Sequence, residues 1–207
     1  MFDVHRFAIF LAAALILALT PGPGIFYVLA RSLAGGKREG ALSAFGIFVG
    51  GLFHDFAAAL GISAVLAASA IALHTVKYAG AAYLVWLGIR MIRTRNAEME
   101  AGATTAPRNA FRQGILTEVL NPKTALFFLS FIPQFIAPEH GRVFAPFLVL
   151  GVLSVTLNTM ADLLVVLLAS PIERRLKSSA RFRRNQRVGS GLGMIGLGAY
   201  VALADSR

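Results

Sequence analysis

The sequence predicts an all-α membrane protein with six transmembrane helices, arranged as two inverted three-helix repeats with broken helices one and four. Three observations support this prediction. The chain is 57% hydrophobic and only 14% charged, which is far from the soluble average. Its apolar residues come in runs of about twenty, the length that crosses a hydrocarbon core. Two of these runs contain proline where a helix should continue.

The apolar segments define six predicted spans, with an irregular boundary between the second and the third. They lie at 7–29, 41–68, 75–92, 113–137, 143–169 and 188–204. Because 41–73 is too long for one upright helix, we expect either a tilted helix or a boundary at His74 to Lys77. The long polar stretch after the third segment predicts a linker. The single domain of residues 1–207 therefore divides into repeat one at 1–95, a linker at 96–110 and repeat two at 111–207.

The basic residues predict the orientation. The net charge is +10, but the Lys and Arg residues lie in the gaps between apolar segments, as in membrane proteins, so no nucleic acid is expected as a partner. Most of the 20 Lys and Arg residues fall in the first, third and fifth gaps. By the positive-inside rule these gaps are cytoplasmic and both termini lie outside. The chain has no cysteine and four scattered histidines, so we expect no disulfide, metal or cofactor.

The first break is the run Thr20-Pro21-Gly22-Pro23-Gly24. Proline has no N–H, so Pro21 and Pro23 remove the usual helical partners of the carbonyls of Leu17 and Leu19. A bare carbonyl in hydrocarbon costs several kcal/mol, so such a break persists only where protein or a water-filled cavity satisfies it. The run therefore predicts a cavity inside the membrane.

A second break, Asn121-Pro122-Lys123, interrupts the fourth segment. At 1.5 Å per residue, both breaks lie roughly 14 Å from the cytoplasmic end of their segments, near the middle of the core. Paired interruptions in two halves are typical of a transporter site. The half-helix ends and freed carbonyls could bind the carboxylate and ammonium of a small zwitterion. The alternative is that both breaks are packing kinks.

The second segment carries small residues and ionisable ones on neighbouring faces. Gly46, Gly50 and His54 recur every four residues. The glycines predict close helix packing, whereas His54 is a candidate for proton coupling. Asp55 is a second candidate, because ionisable residues inside a span are functional candidates by default. It lies about 100° around the helix from His54, so both face the interior only if that face is broad.

The fourth and fifth segments contain further polar residues. Ser154, Asn158 and Asp162 are spaced by four, so one face of an apolar helix is polar and should face protein. Asn158 either binds substrate or fixes helix packing, and Asp162 is a candidate for proton coupling. Glu118 lies four residues before Pro122. It either forms an ion pair with Lys123 or opens that pair on protonation, and the sequence leaves both alternatives open.

In combination, these motifs resemble the LysE/RhtB family of bacterial amino-acid exporters. They are the Thr-Pro-Gly-Pro-Gly run, the Gly46, Gly50, His54 stripe, the run from Tyr78 to Gly88, and Asn121-Pro122-Lys123 followed by Phe127, Phe128, Pro133, Gln134 and Phe135. The resemblance implies a protein of the bacterial cytoplasmic (inner) membrane that exports small amino acids or their analogues in exchange for protons. Relatives usually carry an acidic residue directly after the second glycine of the stripe. Here that position is Gly51, with Asp55 one turn later.

The hypothesis is therefore a proton antiporter for amino acids that works by alternating access. Its predicted substrate-binding residues are Thr20, Pro21, Gly22, Pro23, Gly24, Asn121, Pro122, Lys123 and Asn158. Its predicted proton-coupling residues are His54, Asp55, Glu118 and Asp162. The alternatives are an exporter of another solute or cation and a membrane scaffold that does not transport. An enzyme is not expected, because no Gly-x-Ser-Gly, His-Glu-x-x-His or Gly-x-Gly-Asp motif occurs. Gly189 and Gly193 could serve a homodimer face or internal packing.

Overall fold

The computed structural model describes residues 4–68, 70–94, 109–136 and 143–203, and these ranges contain helices and no strand. The all-α prediction is confirmed for this part of the chain. The helices are α1 Val4–Leu19, α2 Pro23–Ala68, α3 Ala70–Arg93, α4 Ala110–Val119, α5 Pro122–Ser130, a 3-10 helix Ile132–Phe135, α6 Phe144–Leu167, α7 Ala169–Ser178 and α8 Ala180–Leu203.

Both predicted breaks are present. The first separates α1 from α2, and the second separates α4 from α5, which are bent by 50° relative to each other. Pro23 and Pro122 are the first residues of α2 and α5. At that position the missing N–H costs nothing, because it would have no partner inside the helix in any case. The prolines therefore end one half-helix and begin the next.

Helix α2 consists of two arms that fold back on each other at Gly36. Gly36 has φ 74°, a left-handed conformation that glycine adopts without strain. The arms are joined by an ion pair between Arg31 and Glu39. A Cβ at Gly40 would lie only 2.0 Å from the Ser32 hydroxyl, so the arms touch. The predicted loop between spans one and two is therefore a tight helical hairpin.

One predicted boundary is wrong, and one helix extends beyond its predicted span. The second and third segments do not separate at His74 to Lys77, since α3 begins at Ala70 and runs through both residues. Lys77 is buried on α3, with its ammonium 5.4 Å from the ring centre of Tyr78. Helix α8 begins at Ala180, eight residues before the predicted span at 188–204, so its arginine-rich start is also helical. The predicted linker, 96–110, lies outside the described residues up to 108, and Asn109 caps α4.

Helix α7 was not predicted. Residues 170–178 lie in the fifth predicted gap between spans, and with Ala169 they form an amphipathic helix. Leu176 and Ala169 are buried against Leu29, whereas Arg174 and Arg175 are exposed. A basic amphipathic helix is a common element at a membrane surface. Its charges alone therefore did not distinguish it from a loop.

Helix α2 packs against α4 and α6, α3 packs against α8 and α5, and α1 packs against α6. Glycines bring α2 and α4 into backbone contact. A Cβ at Gly46 would lie 2.1 Å from the Phe111 carbonyl, and one at Gly114 would lie 2.5 Å from the Ser43 carbonyl. The packing role predicted for Gly46 is confirmed, and Gly50 also lies against α4. On α8, Gly193 packs against α1, whereas a Cβ at Gly189 would meet no atom within 4 Å.

The outer surface is strongly apolar. Phe53, Leu60, Leu164 and Leu167 are each more than half exposed. By length and composition, two described segments are long and apolar enough to cross a membrane, 23–61, which contains the turn at Gly36, and α6, with a third if the bent α4–α5 pair counts as one span. Helix α1 is apolar but shorter. The count of six spans and their inverted pairing stay predictions.

Candidate functional site

The two breaks are in direct contact. The ammonium of Lys123, at the second position of α5, donates to the carbonyl of Thr20 at 3.0 Å and to that of Leu17 at 3.3 Å. Both acceptors lie at the broken end of α1. A Cβ at Gly22 would lie 3.2 Å from the Lys123 ammonium. The shared depth that the sequence predicted for the breaks agrees with this contact.

Lys123 satisfies a carbonyl that proline leaves without its helical partner. Leu17 lies four residues before Pro21, which has no N–H to donate. The Leu17 carbonyl instead accepts from the Thr20 N–H at 3.2 Å and from Lys123. The carbonyl end of a helix carries partial negative charge, which favours a cation there. The ammonium is thus bound by the end of a half-helix.

His54 makes the reciprocal contact at the second break. Its Nε2 lies 2.8 Å from the carbonyl of Glu118, which is four residues before Pro122. That carbonyl also accepts from the Asn121 N–H at 2.9 Å. Since a carbonyl oxygen can only accept, Nε2 of His54 carries a proton and donates. Each break is therefore bridged by a basic side chain from the other half of the chain.

The Glu118 carboxylate, only 3% exposed, is held by its own neighbours. It accepts from the Asn121 amide at 3.0 Å and from the Thr124 hydroxyl at 2.7 Å. The hydrogen-bonded ion pair with Lys123 that the sequence allowed is not formed. Side chains in a helix tilt toward its N-terminus, so Lys123, in the first turn of α5, extends across the break to α1.

Asp162 of α6 belongs to the same cluster. It is fully buried, and its carboxyl group lies near enough to Glu118 and Lys123 for electrostatic interaction with both. Its Oδ2 accepts a weak bond of 3.4 Å from the Asn158 amide, while its Oδ1 has no partner among the described residues. Ser154 is also buried. The polar face of α6 therefore lies toward the protein, as predicted.

Asp55 lies on another face of α2 from His54. His54 faces α4, whereas Asp55 is buried against α6, where a Cβ at Gly151 would lie 1.8 Å from its Oδ1. Only glycine leaves room for this carboxyl group. Its Oδ1 has no hydrogen-bond partner within the described ranges. Both residues face inward because α2 lies between α4 and α6.

A small pocket lies beside the cluster. It encloses about 260 Å³ of empty space, counting its open side, and is lined by Leu17 and Ile47 from one half and by Glu118, Thr124 and Asn158 from the other. The part that a water-sized sphere can enter amounts to about one water molecule. Gly24 lies directly beside the site, since a Cβ there would lie 3.3 Å from the Glu118 carboxylate. A solute larger than water therefore needs a rearrangement to enter.

Comparison with known proteins gives the family of a chain with this site. A family model described as "LysE type translocator" matches residues 15–205. The chain belongs to the LysE family of translocators. It is therefore a membrane transport protein and not an enzyme, and the family resemblance seen in the sequence is confirmed.

Relatives of this translocator match it along nearly their whole length. An "Uncharacterized membrane protein" of Vibrio cholerae is 33% identical over 93% of this chain and 97% of its own. A "Leucine efflux protein" of Enterobacter sp. is 28% identical over 99% and 97%. A "Homoserine/homoserine lactone efflux protein" of Salmonella typhi is 30% identical over 94% and 95%. No solved structure matches this chain significantly.

Most of the predicted site residues of the translocator come together. The cluster contains the breaks around Thr20, Pro21, Gly22 and Gly24 and the residues Glu118, Asn121, Pro122, Lys123, Asn158 and Asp162. Pro23 is exposed, and Asp55 lies on the α6 side without a charged group acting on it among the described residues. Sequence reasoning missed Thr124, although a polar residue next to a break in an apolar segment is a usable signal.

Proposed function

We propose that this translocator exports small amino acids from the cytoplasm in exchange for protons, by alternating access. The relatives are named for efflux of leucine, homoserine and homoserine lactone. These three solutes share an α-ammonium group, whereas the lactone has no free carboxylate. A site for such a family must therefore recognise an ammonium group above all.

The observation that carries the proposal is the binding of an ammonium at the break. Two main-chain carbonyls at the end of α1 hold the ammonium of Lys123, with the acids Glu118 and Asp162 close enough to interact with its charge. The same donors and charge occur on the amino group of an amino acid. A substrate carboxylate is then placed toward the N-terminal end of α5, beside Asn121. Asn158, on the pocket wall, contacts the remainder of the substrate.

Proton coupling follows from the charge balance of the cluster. Two acids face one lysine, and an uncompensated buried charge costs several kcal/mol. One acid therefore carries a proton. Both oxygens of Glu118 accept hydrogen bonds, which suits the ionised form, so we assign the proton to Asp162. A proton and a substrate ammonium both neutralise the acidic pair, so that binding of one favours release of the other.

Two further groups belong to the proposal. Asp55 is a second candidate proton site, since a buried carboxyl group without a nearby cation is stable only in its neutral form. His54 links its protonation to the second break through the Glu118 carbonyl. We place the protein in the cytoplasmic membrane with both termini outside. A homodimer through the open face of α8 around Gly189 is part of the same proposal.

The test is transport by the purified protein in proteoliposomes. Labelled leucine and homoserine should accumulate inside vesicles in which the protein is oriented as in inverted membrane vesicles, when a proton gradient is imposed across the membrane. A protonophore should abolish accumulation. Entry of one net charge is worth about 2.3 kcal/mol per 100 mV. A membrane potential of about 100 mV alone therefore limits accumulation to roughly fiftyfold when one proton is exchanged for one zwitterion. No accumulation of any of the twenty amino acids would refute the proposal.

A further inference from the structure

We propose that Lys123 is an internal substitute for the ammonium group of the substrate. When no amino acid is bound, its side chain fills the ammonium subsite formed by the carbonyls of Leu17 and Thr20, and it leaves when an amino acid binds. This inference rests on the proposed export of amino acids, because it assigns the subsite of that site.

The chemistry of the subsite supports this assignment. The acceptors are two neutral main-chain carbonyls, at 3.3 Å and 3.0 Å from the same nitrogen. Lys123 reaches them from 106 and 103 residues away in sequence, so no local constraint of the chain requires the contact. A lysine ammonium and an α-ammonium each carry three N–H donors and one positive charge. The subsite therefore cannot distinguish strongly between them.

Lys123 is also free to exchange. The nearest acid in sequence, Glu118, is already bonded by Asn121 and Thr124, so Lys123 is not held by a hydrogen-bonded ion pair. Its four-carbon stem has rotatable bonds that allow the charge to move. Gly22 leaves the space next to the ammonium open, since a Cβ there would already lie within 3.2 Å.

A substitute of this kind has a consequence for the transport cycle. An antiporter must change conformation once with its substrate and once without it. An empty subsite would leave the buried Thr20 carbonyl without a donor among the described residues and the Leu17 carbonyl with only the Thr20 N–H, which is costly. Lys123 removes that cost, so that the protein can close and return without an amino acid. Without the lysine, another donor, such as the ammonium of the substrate, would have to fill the subsite.

The first experiment compares two transport modes in proteoliposomes, using labelled leucine. Lys123→Met should exchange internal for external leucine at a rate within about threefold of the unaltered protein, because leucine fills the subsite during both conformational changes. Net transport driven by a proton gradient, which needs the empty return, should fall at least about tenfold. K77→Met, which removes a buried lysine of α3 outside the cluster, should leave the ratio of the two modes unchanged. If Lys123→Met does not fold, Lys123→Gln keeps an uncharged amide with two N–H donors and should give an intermediate ratio.

Parallel loss of both modes would overturn the inference, because Lys123 would then be a direct ligand of the substrate. Unchanged net transport would overturn it as well, since the empty return would not need the lysine. The amount of folded protein separates this outcome from a loss of stability. If Lys123 had only a structural role, its removal would lower both transport modes together with the amount of folded protein.

A second experiment tests the subsite without transport. The part of the side chain that is removed in Lys123→Ala has the length and charge of n-propylammonium, so this ion should raise the Tm of Lys123→Ala by several degrees. It should not raise the Tm of the unaltered protein, whose subsite is filled. Neutral n-propanol serves as the control of similar shape. Equal effects of the ion and the alcohol would overturn the ammonium subsite. If the unaltered protein transports no amino acid, the proposed function fails, while this result still decides the subsite.

Discussion

The two breaks share one main-chain arrangement but differ in what they contribute. In both, the carbonyl four residues before a proline accepts a hydrogen bond from the N–H of the residue directly before that proline. The distance is 3.2 Å for the Leu17 carbonyl and 2.9 Å for the Glu118 carbonyl. In both, a basic side chain from the other half of the chain completes the bonding. The residue after the proline is Gly22 in the first break and Lys123 in the second. One half thus supplies carbonyls and space, and the other supplies charge.

The different side chains of the two breaks show how a motif that occurs twice can form one asymmetric candidate site. Gly22 and Gly24 have no side chains, and their positions lie next to the Lys123 ammonium and the Glu118 carboxylate. If both breaks carried charged side chains, these would compete for the same volume. If both carried glycine, no charge would balance the freed carbonyls. The glycines of one break are the counterpart of the side chains of the other.

The largest effect is expected from E118→Gln, which removes the charge of the second break while leaving its shape. Lys123 then loses one of the two acids that interact with it. Removing one partner of a buried charge costs about 3–5 kcal/mol, so transport should fall by a hundredfold or more. Initial rates of leucine uptake measure this. Glu173→Gln, at a partly exposed position of α7 outside the cluster, is the matched control and should change rates less than about threefold.

The next effect is expected from G22→Val, which gives the first break a side chain. The added carbons would meet the Lys123 ammonium and move it from the carbonyls of Leu17 and Thr20. The Leu17 carbonyl keeps the Thr20 N–H, but the Thr20 carbonyl loses its donor, and one such buried acceptor costs about 1–3 kcal/mol, so transport should fall about thirtyfold. Gly61→Val on α2 is the control, because a Cβ there meets no atom of the described residues within 4 Å. Normal uptake by G22→Val would show that the glycine is not needed for space.

A smaller effect should separate the two candidate proton sites. Asp162→Asn removes the carboxyl group that interacts with Glu118 and Lys123 and that accepts a weak hydrogen bond from the Asn158 amide. Proton-driven uptake should fall about tenfold and lose its dependence on pH, while leucine exchange continues. D55→Asn, at the carboxyl group buried against Gly151, should retain the pH dependence. The opposite pattern would assign the proton to Asp55.

The smallest effect is expected at His54, whose bond to the Glu118 carbonyl mirrors that of Lys123. H54→Ala removes one hydrogen bond worth about 1 kcal/mol, so uptake should fall roughly fivefold. H54→Gln keeps an N–H donor of similar reach and should restore most of the rate. If H54→Gln is as slow as H54→Ala, titration of the imidazole is required and the donor alone is not sufficient.

The parts of the fold that depend on local chemistry could be predicted from sequence. Pro21, Pro23 and Pro122 determine where helices end, whatever surrounds them, so both breaks were located correctly. The four-residue spacing of Ser154, Asn158 and Asp162 likewise determines a shared face. Helix α7 was missed because charge density alone does not separate a basic loop from a basic amphipathic helix.

The contacts within the site depend on how the two halves are placed together, and the sequence does not contain that placement in local form. Glu118 and Lys123 are five residues apart, so a direct ion pair was a reasonable alternative. The structure instead connects Lys123 to α1 and satisfies Glu118 through Thr124. The choice depends on the rotation of α5 relative to α1. Local spacing therefore identified the chemical groups but not their partners.

The contact between α2 and α4 at Gly46 and Gly114 limits how this protein can change shape. Where the two main chains are in direct contact, no side chain lies between them that could change rotamer. The two helices are therefore expected to move as one rigid unit. In the proposed alternating-access cycle, opening toward either side of the membrane would then be absorbed by bending at Thr20 to Gly22 and at Leu120 to Asn121. The prolines that expose the carbonyls would thus also be the hinges of that movement.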